Sequence, residues 1–155
     1  MERPVQMAQE WLEGLGADQS GSAYDPAKPK RNEFERFSLA GLRVSRAEPG
    51  RIICHLTVPK RLADEKGKWH AGAIAAMIDN VGAASIKSCD LPIKVSVDYN
   101  ISYISTAEIG EVMEIEGKVL GHKGKLSGVM VEVRRKGNGE VVAQGRQWMK
   151  ATSRL

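Results

Sequence analysis

Apolar residues change their spacing repeatedly along this chain. Near the N-terminus, Val5, Ala8, Trp11, Leu12 and Leu15 recur at helical intervals, and Gly14 and Gly16 mark an end. The following "ADQSGSAYDPAKPK" is rich in Gly, Ser, Pro and charge, so residues 1–30 read as an appended helix and flexible linker, with the main domain over 31–152. Residues 33–42 suit a short helix or turn. In "GRIICHLTV", Ile52, Cys54, Leu56 and Val58 fall on alternate positions, which predicts a strand. After the polar loop "PKRLADEKGK" comes "KWHAGAIAAMIDNVGAASIKS", a helix apolar almost all round that carries one carboxylate, Asp79.

The period then returns to two. In "KVSVDYNISYI" the residues Val95, Val97, Tyr99, Ile101 and Tyr103 alternate with polar ones, predicting a strand with one apolar face and Ser96 on the other. "EVMEIEGKVLG", "LSGVMVEVRR" and "EVVAQGRQWMKA" follow as further strands, with turns at "HKGK" and "KGNGE", and Asn138-Gly139 is a hairpin signal. A strand, one long apolar helix and then four antiparallel strands give an α+β fold in which a sheet curls round a helix, the hotdog architecture.

A length of 155 residues suits one such domain, and no apolar run approaches the roughly 20 residues that span a bilayer. The net charge of +4 is mild and scattered, which disfavours nucleic acid as a partner and suits a small polyanionic ligand. Cys54 and Cys89 have neither metal-ligand nor disulfide-framework spacing and read as packing residues. His55, His70 and His122 form no ligand motif, so no metal is expected. Acidic residues at Glu2, Glu10 and Glu13 argue against a secretory or transit leader. The closing Ser153, Arg154, Leu155 is a close variant of the Ser-Lys-Leu peroxisomal address, which sets an expectation of peroxisomal, otherwise cytoplasmic, localisation.

The candidate chemistry lies on the apolar helix. The first N–H groups of a helix, with the positive end of its dipole, can stabilise an oxyanion, and Ala71 supplies one of them. His70 reads either as an orienting group beside that site or as a histidine packed at the helix start. Asp79 reads either as a surface carboxylate or as a general base or nucleophile. From Ala71 to Asp79 the helix rises about 12 Å, too far for both to hold one small reacting group within one chain.

"WHAG", the later "DN", "VSVDYNISYISTAEIGE", the turn at Gly124-Lys125 and "VVAQGR" together resemble the small acyl-CoA thioesterases of the hotdog superfamily, closest to the acyl-CoA thioesterase 13 type. The resemblance spans about residues 33–150 and implies hydrolysis of acyl-CoA to a free fatty or aryl acid and CoA, with no bound cofactor. It also implies a homodimer or homotetramer whose site takes its acid, Asp79, from a second subunit, and it gives Ser96 the task of holding the nucleophilic water. Ala71 stands where that family commonly has Gly. Asp64 stands where it has Asn, and is either a loop carboxylate or a second acid orienting the water. Lys123, Lys125 and Arg146 are candidates for the coenzyme's phosphates, or else solvated charges. Two rival readings are a hotdog acyl-CoA dehydratase or hydratase and a non-catalytic acyl-CoA binding module.

Overall fold

The computed structural model describes residues 2–17, 33–92 and 94–151; the linker, and the C-terminal tripeptide with its expected address, lie outside them. Helices α1 (Arg3–Gly16), α2 (Glu33–Leu39) and α3 (Ala71–Lys87) accompany strands β1 (Arg43–Glu48), β2 (Arg51–Thr57), β3 (Lys94–Tyr103), β4 (Val112–Lys123), β5 (Leu126–Arg135) and β6 (Val141–Ala151). The strands form one antiparallel sheet in the order β1-β2-β4-β5-β6-β3. Helix α3 packs across it, touching β2, β3, β4, β5 and β6, as the hotdog expectation requires.

The alternating residues expected in β2 are buried, with Ile52, Cys54 and Leu56 turned to the core. The expected set of strands lacked β1. Its "RVSRAE" shows no apolar alternation, because an edge strand is held mainly by backbone pairing, here to β2, and only Val44 and Ala47 pack against the core. Helix α1, read as an appendage, buries Val5, Ala8 and Leu12, and Ala8 and Leu12 join the same core as α3 and β2. Its Glu13 carboxylate accepts the Val44 N–H at 2.8 Å.

Two sheet glycines set how closely α3 approaches. A Cβ on Gly145 would stand 2.6 Å from Ile78 Cγ2, and one on Gly117 would run into the Ser85 hydroxyl. The helix therefore rests almost on the sheet backbone, and Met77, Ile78, Val81 and Ala84 are fully buried.

Strand β3 departs from simple alternation. Ser96 pairs with Met149 and Asp98 with Trp148, so Val97 is an extra residue with no partner on β6. A bulge of this kind reverses which residues face the core. Below it Ser96 faces α3, with the buried Met149, and Val95 is 51% exposed; above it Tyr99 pairs with buried Gln147 and also faces α3. The uniform apolar face expected for β3, with Ser96 on the polar side, is thus corrected at Val97.

Candidate active site

Helix α3 begins where its sequence predicts. His70, the N-cap, has extended backbone, and its Nδ1 accepts the Gly72 N–H at 2.9 Å, which places the neutral ring's proton on Nε2. His70 is thus a capping group at the helix start, and its ring is exposed, not packed. Ala71 is exposed and has no positive φ, so it sits in ordinary helical backbone. As the first helical residue its N–H has no acceptor within α3, and its carbonyl accepts the Tyr103 hydroxyl at 2.8 Å. One turn later Tyr99 donates to the Ala75 carbonyl at 2.6 Å. Burial, reinforced by the neighbouring Asp79 charge, pushes the Tyr99 phenol up, so it is a neutral donor near pH 7.

Asp79 lies two turns beyond Ala71 and is half-buried. Its Oδ1 accepts from Ser96 Oγ at 3.0 Å and from Gln147 Nε2 at 2.6 Å, and Gln147 Nε2 also donates to Ser96 Oγ at 3.0 Å. Three polar side chains from α3, β3 and β6 therefore close on one another between helix and sheet. This answers how an apolar helix carries a carboxylate: the sheet supplies its donors, so burial does not leave the charge unsolvated. Oδ2 receives no such bond from the described residues. The group can hold a water and accept its proton, while the open N–H groups at a helix start can stabilise negative charge on an oxygen.

A profile of the thioesterase superfamily matches residues 66–142, which contain both Ala71 and Asp79. Human acyl-coenzyme A thioesterase 13 is 33% identical over 121 residues, 77% of this chain and 86% of the human one. The chain belongs to the thioesterase superfamily. The crystal structure of mouse thioesterase superfamily member 2 matches with a TM-score of 0.78 at 25% identity, covering 97% of this chain and 98% of the mouse chain. A hypothetical thioesterase protein with coenzyme A from Streptococcus pneumoniae, at 17% identity, shares the fold with a TM-score of 0.69, covering 72% of this chain and 89% of that one.

The other residues expected in this thioesterase-superfamily site are dispersed. Asp64 organises its own loop: one oxygen, Oδ1, accepts the N–H of Lys66 at 2.8 Å and of Lys68 at 3.0 Å. The Lys68 N–H bond chiefly holds its carboxyl below the usual range, against opposing desolvation and with a further bond from Lys66. Lys123 and Lys125 are exposed at the β4–β5 hairpin. Arg146 alternates with the helix-facing Gly145 and Gln147 and so points from the opposite face of the sheet, away from its own chain's Asp79. Burial pushes the thiols of Cys54 and Cys89 up, in keeping with packing roles.

Gln147 was absent from the expected site. Its signal in the sequence is positional: in "AQGRQWM" it shares strand parity with Ala143, Gly145 and Met149, which all face the helix, so a polar side chain there is buried at 2% exposure. A cavity of about 250 Å³ beside the helix start is lined by Phe37, Leu62, Ala63, His70 and Ala73, among others.

Proposed function

We propose that this chain hydrolyses acyl-CoA to a free acid and CoA, with Asp79 activating the attacking water. The observation that carries the reading is the Asp79 carboxylate, held on one oxygen by Ser96 and Gln147 and, among the described residues, unbonded on the other. Water attacks the thioester carbonyl carbon as its proton passes to Asp79 Oδ2, and charge builds on the carbonyl oxygen. Collapse breaks the C–S bond, and the proton returns from Asp79 to the leaving thiolate. The helix-start N–H of Ala71 stabilises the oxyanion, and the apolar cavity beside His70 offers room for an acyl group.

Ala71 and Asp79 act on one thioester from two chains. The rise of about 12 Å between them separates them within one helix, whereas a second copy with its α3 antiparallel brings the start of one helix beside the middle of the other. β3 supports this arrangement, being a ten-residue edge strand with exposed Val95, Val97, Tyr103 and Ile104 at or beside it. Lys123, Lys125 and Arg146 are the candidates for the coenzyme's phosphates, Arg146 from the face of the sheet opposite α3.

The test is release of free thiol from a panel of aryl- and alkyl-acyl CoAs by the wild type and by Asp79→Asn, with enoyl-CoA hydration measured in parallel. The variant should keep its fold and lose about 10²–10⁴-fold in turnover. Normal turnover in folded Asp79→Asn sinks the assignment of Asp79. Hydration without thiol release sinks the hydrolase reading.

A further inference from the structure

We propose that Gln147 is a positioning residue that sets the hydrogen-bond polarity of the Asp79–Ser96 pair, so that the pair meets the water as two acceptors. The proposal rests on the reading of Asp79 as the group that activates water.

The carboxamide of Gln147 is buried between sheet and helix, and its two N–H bonds go to Asp79 Oδ1 at 2.6 Å and Ser96 Oγ at 3.0 Å. Its own oxygen, Oε1, has no donor among the described residues. A buried amide with an orphaned acceptor is a poor packing element, and an apolar side chain of similar length would fill the space without that penalty. The opposite orientation of the amide sets Oε1 against a carboxylate oxygen, so an ionised Asp79 selects the one observed. The fit also depends on Gly82 of α3, since a Cβ there would stand 2.7 Å from Gln147 Oε1.

These bonds determine what remains for water. Ser96 Oγ already accepts from Gln147, and its hydrogen points to Asp79 Oδ1, so the hydroxyl retains accepting capacity and no donor. Asp79 Oδ1 already receives two bonds, and Oδ2 receives none from the described residues. A water bridging Ser96 Oγ and Asp79 Oδ2 is held through both of its hydrogens, which leaves its oxygen lone pairs directed at the carbonyl carbon. Without Gln147, Ser96 can rotate and donate to that water, engaging the lone pair that must attack.

Three variants, Gln147→Met, Gln147→Glu and Gly82→Ala, are compared with wild type and Asp79→Asn by thermal unfolding and by thiol-release kinetics across pH. Gln147→Met should stay folded and lose roughly ten- to a hundredfold in kcat with little change in KM. In Gln147→Glu a second carboxyl meets Asp79 Oδ1, and two carboxylates in contact share a proton, so the acidic limb of the rate profile should move upward by about one pH unit or more. Among the described residues, the groups facing Asp79 from β3 are Ser96 and Tyr99, and from β6 Gln147; Tyr99 stays neutral over that range, so the shift reports the new carboxyl. Gly82→Ala, which pushes the carboxamide aside without altering it, should lower kcat as Gln147→Met does.

Wild-type kcat in folded Gln147→Met, or an unmoved profile in Gln147→Glu while Asp79→Asn is inactive, overturns the role of Gln147 alone. Should Gln147→Met not fold, the other two variants decide. An active Asp79→Asn overturns the underlying reading of Asp79 and this one with it.

Discussion

At the scale of single residues, one oxygen of Asp64 holds the loop before α3. The loop from Asp64 to Lys68 is tied by Oδ1 and by the Asp64 N–H, which donates to the Lys68 carbonyl at 2.7 Å. An asparagine offers the same Oδ1 acceptor, so Asp64→Asn should keep the loop and leave thiol release within about twofold of wild type. A loss beyond about tenfold in a folded variant would instead give Asp64 a direct part in the chemistry. Tyr103 is a sharper probe of the helix start. Tyr103→Phe removes the donor to the Ala71 carbonyl, and the half-exposed ring makes the expected stability loss about 0.5–1 kcal/mol. Kinetics beside thermal unfolding should reveal a larger effect on turnover than that loss accounts for, because in the proposed mechanism the freed carbonyl belongs to the residue whose N–H meets the oxyanion.

At the scale of elements, the close seating of α3 on the sheet is what brings Asp79 within reach of β3 and β6. Gly145→Ala inserts a methyl where Ile78 Cγ2 would be 2.6 Å away, and this overpacking should cost about 1–3 kcal/mol in denaturant unfolding. The outer face of the sheet is different in kind. Arg134 bonds Glu114, Glu116 and Glu132, Arg51 bonds Glu116, and His55 meets Glu114 at 3.0 Å. The His55 bond lowers Glu114 most, ahead of opposing desolvation, and Arg134 adds to it. For Glu116 burial is the largest influence and raises it, but Arg51 and Arg134 together bring it below the usual range. Carboxylates depressed in the folded state bind protons more weakly than in the unfolded chain. Their contribution is therefore complete above the unfolded value of about 4.3 and is lost as pH falls through the lower folded values. Melting temperature should hold between neutrality and about pH 5 and then drop, and Glu116→Gln should flatten that drop.

The whole molecule is tested by mixing chains. If Ala71 and Asp79 meet only across two copies, then Asp79→Asn and Ala71→Pro should each be nearly inactive alone and complement when co-refolded. Proline suits this position because Ala71 is the first helical residue and His70 before it has φ −63° and ψ 132°, the extended backbone that precedes proline. Random pairing of equal amounts makes about half the dimers mixed, each with one unaltered site, so activity should return to about a quarter of wild type. Mixed dimers verified by mass but lacking activity would mean that the two residues do not act across chains.

The order of helices and strands, the helix start at His70 and the presence of a lone carboxylate at Asp79 were legible in the sequence, because each follows from local periodicity or a cap a few residues away. Strand β1 was not, since its place comes from backbone pairing with β2 and leaves little mark on side-chain pattern. Nor was the facing of Ser96, because the extra residue at Val97 exists only relative to the partner strand β6. Gln147 is 68 residues from Asp79 in sequence, and nothing within β6 names its partner. A bulge is defined by register and a buried hydrogen bond by proximity. Both arise only when β3, β6 and α3 have packed, and so the tertiary structure decided how Asp79 is held.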